Sequence, residues 1–184
     1  QKARMQIYFI DNDDFFTKRK STITDKDGVF FEDNDDRTVF FSRGVIETIR
    51  KLNWSPDIIH CHGWMSALIP IYIKKAFRDN PLFNESKIVY SLYDEDFTET
   101  FRDGFDKKMK LQNITPEDVT HLQDANYVNL MKTALDFSDG VIMGSEKINP
   151  ELEDYARSLN IPLLEYQSPE NYVDAYNDFY DNIK

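Results

Sequence analysis

An α/β fold built on a mostly parallel sheet follows from three features of the sequence. Short apolar runs at residues 58–61, 87–92 and 140–143 each pass directly into polar or glycine-containing turns, as buried strands do. The stretches between them carry apolar residues at spacings of three and four, the period of a helix lying on a sheet. Finally, Thr115-Pro116-Glu117, Asn149-Pro150-Glu151 and Ser168-Pro169-Glu170 share one grammar: a capping side chain, a proline at the first helical position and an acid for the positive end of the dipole. Strand and helix therefore alternate, which implies right-handed crossovers and helices on both faces of the sheet.

Taken in order, residues 5–10 alternate Met5, Ile7 and Phe9 with polar neighbours and read as a first strand, stopped by Asp11-Asn12. Because Gln1 is not an initiator residue, the chain is expected to begin inside a larger domain. Residues 13–17 suit one helical turn. Asp25-Lys26-Asp27-Gly28 and Asp33-Asn34-Asp35-Asp36 suggest calcium, but a calcium loop counted from Asp25 would place Val29 fifth, Gly28 fourth and Asp36 twelfth. A solvated acidic loop is the better account. Asp35 or Asp36 can cap a helix over 37–52, whose face is Val39, Phe40, Val45, Ile46, Ile49 and Leu52.

The stretch from Pro56 to Leu68 is a buried strand feeding a helix over 63–77, in which Pro70 predicts a broken hydrogen bond near Ser66. Further elements are a strand over 87–92, a helix over 124–137, strands over 140–143 and 162–165, and a helix over 169–183. The last helix carries Tyr172, Val173, Tyr176, Phe179 and Tyr180 as a stripe that reads as core packing rather than a ligand platform. The sum is a Rossmann-like arrangement of five strands, expected to be a single domain over 1–184.

Ligands sit at the carboxyl ends of strands in such sheets. The loops over 11–14, 60–64, 93–96 and 144–146 are thereby expected on one side. His60, alternating with Ile59, reads as a satisfied core histidine, whereas His62, at the turn, is the candidate functional one.

The 184 residues, 41% hydrophobic and 14% aromatic, can close one sizeable core. Thirty-three acidic against 22 basic residues leave a net charge of -11, with no basic stretch to track a phosphate backbone, so nucleic acid and anionic membrane are poor partners. The lone Cys61 lies in an apolar run, which excludes a disulfide framework and a cysteine metal cluster and implies a reducing, cytoplasmic setting. There is neither an apolar run of membrane-spanning length nor a leader-like start.

Tyr8 to Asn12, Phe40-Phe41-Ser42-Arg43, Val45 to Leu52, Trp54 to Trp64 and Ala67-Leu68 together resemble the N-terminal domain of bacterial glycogen synthase and plant starch synthase. The likeness continues through residues 87–91, 130–134 and 139–145, about three quarters of the chain in all, and extends to a shorter, single-domain subgroup from gut bacteria. It implies one half of a GT-B glycosyltransferase, truncated at its N-terminus, and a reaction that moves glucose from ADP-glucose to an α-1,4-glucan with retention and without a metal or other cofactor. In that family the nucleotide-sugar lies mainly on a C-terminal second domain, so ADP-glucose is a partner only with such a domain and α-glucan is the candidate partner here.

Carried over residue by residue, the resemblance marks His62 and Trp64 as candidate substrate-binding residues, with Tyr93 and Asp94 at the next strand end; no catalytic residue is assigned. The chain departs from the family where chemistry is concentrated. The family's Lys-x-Gly-Gly loop is absent from residues 1–184 and would lie upstream of Gln1, its His-Asp-Trp-His stands here as His62-Gly63-Trp64-Met65, and its His-Asn pair is replaced by Tyr93-Asp94. Two readings follow: part of a glucan synthase, or a non-catalytic glucan-binding or protein-interaction module, the latter favoured because ionisable groups are missing from the retained site. A free-standing nucleotide-binding domain is weaker, lacking a Gly-x-Gly-x-x-Gly turn.

Overall fold

The computed structural model describes residues 5–16, 19 and 22–183. Among these, β1 (Ile58–His62), β2 (Lys87–Leu92), β3 (Gly140–Met143) and β4 (Leu163–Leu164) form one parallel sheet in the order β1-β2-β3-β4. His62 lies beside Ser91, and Leu92 beside Met143, so the carboxyl ends of the first three strands finish level. Three of the expected strands are found at or within one residue of their predicted bounds, and the fourth is shortened from 162–165 to its two leucines.

Residues 5–10 do not form the expected strand. An extended segment becomes a strand only when its N–H and C=O groups meet a neighbouring ladder, and the described part of the sheet offers none to this segment. Met5, Ile7 and Phe9 accordingly stand exposed. Tyr8 and Ile10 instead line an apolar hollow with Phe41, Val45, Leu52 and Trp54. Asn12 closes the turn over 13–16 by accepting the N–H groups of Asp14 and Phe15, and Phe15 packs on Phe40. Thr17, Lys18, Lys20 and Ser21 lie outside the described residues.

Strands laid down side by side in sequence order send every right-handed crossover to the same face. Helix α1 (Asn34–Lys51), the short α2 (Ile69–Ile71), α4 (Tyr127–Asp136) and α5 (Pro150–Ser158) share one core with Ile59, Cys61, Ile88, Tyr90, Leu92, Val141 and Met143. The opposite face is left to α6 (Tyr172–Ile183), which sets Phe179 and Ile183 against Val89 and Ile142. Helices do cover both faces, as expected, but unequally. The tyrosine stripe of α6 also divides: Phe179 is buried, Tyr176 and Tyr180 are half-buried, and Tyr172 and Val173 stay exposed.

The break predicted at Pro70 is present. A 3-10 turn at Trp64–Ser66, α2 with Pro70 in its first turn, and a π-helical stretch at Tyr72–Ala76 replace one continuous helix. Proline has no N–H to give to Ser66, so the chain restarts its hydrogen bonding there. Likewise the expected helix over 124–137 is a 3-10 segment at Glu117–Asp124, then α4, capped by the side chain of Asn126. The short α3 (Phe105–Lys108) lies between β2 and that segment. Asn149 accepts the N–H of Glu151 as its motif predicts, while α6 begins at Tyr172, three residues later than Pro169.

The acids at 33–36 are not a solvated loop. They open α1 three residues earlier than the period suggested, and Asp33 gives no side-chain cap because Arg19 holds it in a two-bond pair at 2.6 and 2.7 Å. Asp35 is fully buried and accepts from Arg102 at 2.5 and 3.0 Å and from Lys108 at 2.6 Å. Asp36 meets the same two cations. Burial pushes the Asp36 carboxyl up, but the hydrogen bonds from Lys108 and Arg102 outweigh it and leave the group below its ordinary value. Its contribution to stability is thus complete above the ordinary carboxylate range and is lost as pH falls through the lowered folded value.

Replacing Asp35 with Asn keeps the shape and removes the charge that both cations face, and is expected to lower unfolding free energy by about 2 kcal/mol in urea melts. A variant as stable as the parent shows that the pair does not anchor α1 to the loop after β2.

Candidate functional site

The site grows from two glycines. Gly63 ends β1 with φ 71° and ψ 167°, a conformation that side chains avoid, and the buried Tyr90 hydroxyl donates to its carbonyl at 2.8 Å from below. A side chain at position 63 would collide with Glu95: an added Cβ would lie 2.9 Å from Oε1. At the end of β3, a Cβ on Gly144 would lie 2.6 Å from the ring of Tyr93 and 2.9 Å from the carbonyl of Leu92. Both glycines therefore make room for side chains of one loop, the loop that follows β2.

Glu95 uses that room to accept the backbone N–H of Trp64 at 2.9 Å. Burial raises its carboxyl pKa, and the Trp64 hydrogen bond only partly offsets this. Tyr93 reaches the other way, its hydroxyl 2.6 Å from Nδ1 of His62. The loop is further tied by the Asp94 N–H donating to Ser145 Oγ at 3.0 Å, and by Asn149 donating to Asp96 at 2.8 Å. The loops over 60–64, 93–96 and 144–146 are thus brought together as expected, whereas 11–14 belong to the turn packed on α1.

On the face shared with α6, His62 stacks on His60 with ring centroids 3.9 Å apart. His60 has both nitrogens engaged, Nδ1 with Tyr180 Oη at 2.6 Å and Nε2 with Ser91 Oγ at 2.7 Å. Burial, assisted by the neighbouring His62, pushes its pKa down to about 3, which is the satisfied core histidine the sequence suggests. His62 is held below its ordinary value by burial alone. The imidazole of His62 is consequently neutral at pH 7. Whichever way the proton lies in the bond to Tyr93, the pair offers a donor or an acceptor outward from Nε2. Sugar hydroxyls both donate and accept, so such a pair suits them.

Trp64 does not stand where a stacking platform must. Its indole is 3% exposed and packs edge-on against Phe97 and Phe101. Its part in the site is the backbone N–H given to Glu95. Met65 is half-buried against the core, and Asp94 is exposed, with its backbone rather than its carboxylate tied to the opposite loop. Sequence reasoning missed Glu95 and Gly144, since nothing in their spacing says that one lies over Gly63 and the other under Tyr93. A hollow of about 500 Å³ adjoins the same loop, lined by Asp96, Phe97, Asn126, Tyr127, Asn129 and Glu151 among others.

A parallel α/β sheet with a polar cluster of His, Tyr and Glu at its strand ends defines the class. The family profile of the starch synthase catalytic domain matches residues 1–160, and the chain belongs to that family. It is 33% identical over 140 residues to the glycogen synthase of Pelodictyon phaeoclathratiforme, covering 74% of this chain and 27% of that protein. With the glycogen synthase of Chlorobaculum tepidum it shares 31% over 155 residues, 83% of this chain and 30% of the relative. The chain therefore spans less than a third of the length of these relatives. In fold it is similar to the catalytic domain of Arabidopsis thaliana starch synthase IV, solved bound to ADP and acarbose, with a TM-score of 0.57 and 18% identity over 75% of this chain and 30% of that one. That likeness supports the GT-B type of fold expected from the sequence. No helix among the described residues is long and apolar enough to cross a membrane.

Two tests follow from this geometry. Gly63→Ala should cost about 1–3 kcal/mol in denaturant melts from backbone strain alone, and adding Glu95→Ala should recover only the steric part; a neutral Gly63→Ala shows that the turn is not constrained. For His60, the unfolded chain takes up a proton near pH 6.5 that the folded chain refuses until about pH 3. Stability should therefore fall on acidification below about 6.5, by up to ~1.4 kcal/mol per pH unit from this group. NMR titration should show the His60 ring unchanged between pH 8 and 5.

Proposed function

We propose that this domain binds α-1,4-glucan at the ends of β1, β2 and β3, with His62 and Tyr93 as the hydroxyl-binding pair and Glu95 as the adjoining carboxylate. The observation that carries the reading is the 2.6 Å contact between His62 Nδ1 and the Tyr93 hydroxyl, set in loops whose charges disfavour anions. The loops over 93–96 and 144–147 hold Asp94, Glu95, Asp96 and Glu146 against Lys147 alone. A diphosphate placed there would be repelled, while a neutral oligosaccharide finds donors and acceptors.

The same charges explain why glucosyl transfer from ADP-glucose, the activity associated with the family's glycogen synthases, would need a nucleotide-binding second domain to hold the donor. These residues supply the acceptor side. Glu95 also bears on the departure at Gly63: the carboxylate that the resemblance expects at position 63 reaches the same space from position 95. The buried Cys61 thiol, whose pKa burial pushes up to about 12, suits a reducing, cytoplasmic setting.

Isothermal titration with maltoheptaose tests the reading. The chain should bind at millimolar ligand, and His62→Ala should weaken binding about tenfold, the loss of roughly one hydrogen-bonding pair. The same chain supplied with ADP-glucose and a glycogen primer should release no ADP. Absence of saccharide binding overturns the reading, and His62-dependent ADP release overturns the assignment of the donor site to a second domain.

A further inference from the structure

Tyr176 and Tyr180 of α6 pack against the sheet-facing cluster, but Tyr172, at the start of the same aromatic side, does not belong to it. Phe179 and Ile183 already meet the sheet, yet Tyr172 remains 45% exposed at the other end of the stripe. Its ring stands 5.6 Å from that of Tyr176 at 80°, and Tyr176 stands 5.8 Å from the ring of His60, which stacks on His62. An unbroken line of rings therefore runs from the candidate hydroxyl-binding pair outward along α6. This helix lies beyond the residues 1–160 that match the family profile, so the family match assigns it no part in any site.

We propose that Tyr172, with Tyr176 beside it, is a ledge that receives a further glucose ring of an α-1,4-glucan held at His62 and Tyr93; this rests on the glucan-binding reading above. A pyranose presents a C–H face that packs on an aromatic ring and hydroxyls that reach a phenol, and tyrosine answers both. Charge excludes the obvious competitor. A nucleotide could also stack its base on Tyr172, but phosphates extended along the line of rings toward His62 would meet Asp94, Glu95 and Asp96 of the 93–96 loop, and the last turn of α6 carries no base to offset them. The ligand class that fits is a neutral oligosaccharide long enough to reach from His62 and Tyr93 to Tyr172.

The test compares saccharide lengths on the full chain. Maltose, maltotriose and maltoheptaose are titrated calorimetrically into the parent, Tyr172→Ala, Tyr172→Phe and His62→Ala proteins, each checked by thermal melting. Tyr172→Ala should weaken maltoheptaose about threefold to tenfold and leave maltose unchanged, Tyr172→Phe should keep most of the maltoheptaose affinity, and His62→Ala should weaken every length. If Tyr172→Ala binds maltoheptaose like the parent while His62→Ala does not, the ledge is overturned and the glucan-binding reading stands. A uniform loss at all lengths, or Tyr172→Phe behaving like Tyr172→Ala, also overturns the ledge. If the parent binds none of the three, both readings fall. ADP titrated in parallel should not bind in a Tyr172-dependent manner; if it does, the ledge belongs to a nucleobase and the saccharide assignment is overturned.

Discussion

The order of the strands governs the rest of this structure. With β1 to β4 laid side by side as they are made, each crossover is obliged by the right-handed twist to return over the same face. One face therefore accumulates α1, α2, α4 and α5 and nearly all of the aliphatic core, while the other is covered, among the described residues, by the one helix that follows β4. The imbalance appears in β1 itself, where Ile59 and Cys61 are buried toward the crowded face and His60 and His62 point to the sparse one. A histidine pair can persist there because the face is only partly dry. His60 is kept neutral by burial, with both nitrogens hydrogen-bonded, and His62 keeps Nε2 outside its bond to Tyr93.

No reversal of strand order occurs among the described strands, so the site does not owe its position to the topological switch that opens a crevice in many α/β sheets. It is a cluster of side chains made possible by what two positions lack. Gly63 and Gly144 have no side chains, and the loop after β2 fills both vacancies, Glu95 over one and Tyr93 over the other. The three strand ends are thereby locked to one another through side chains as well as through the ladder. A loop anchored in this way is pre-organised, and its polar groups need little reordering when a ligand arrives.

The anchoring extends down the loop. Arg102 and Lys108, further along the same connection, reach back to the buried Asp35 at the start of α1. A fully buried carboxylate with two half-exposed cations contributes through the expense of separating them more than through net attraction. It also accounts for why residues that read as a solvated acidic loop became the first turn of a helix. Their partners lie some 70 residues away in sequence, at separations of 67 and 73, and no local pattern encodes such pairing.

Local sequence alone determined the strands over 58–61, 87–92 and 140–143, the presence of helical segments between them, the break at Pro70 and the cap at Asn149, because each depends on neighbours within a few residues. His62 and Tyr93 were legible as candidates, since a polar residue just beyond a buried strand is forced to the strand's open end. Tertiary structure decided what their surroundings are. It turned Trp64 inward among Phe97 and Phe101, left residues 5–10 without a strand to pair with, drew Glu95 across to Gly63, and split the stripe of α6 into a buried half and an exposed one. Each of these depends on which distant surface lies opposite. That is a property of three-dimensional packing, and a one-dimensional pattern of apolar and polar residues does not carry it.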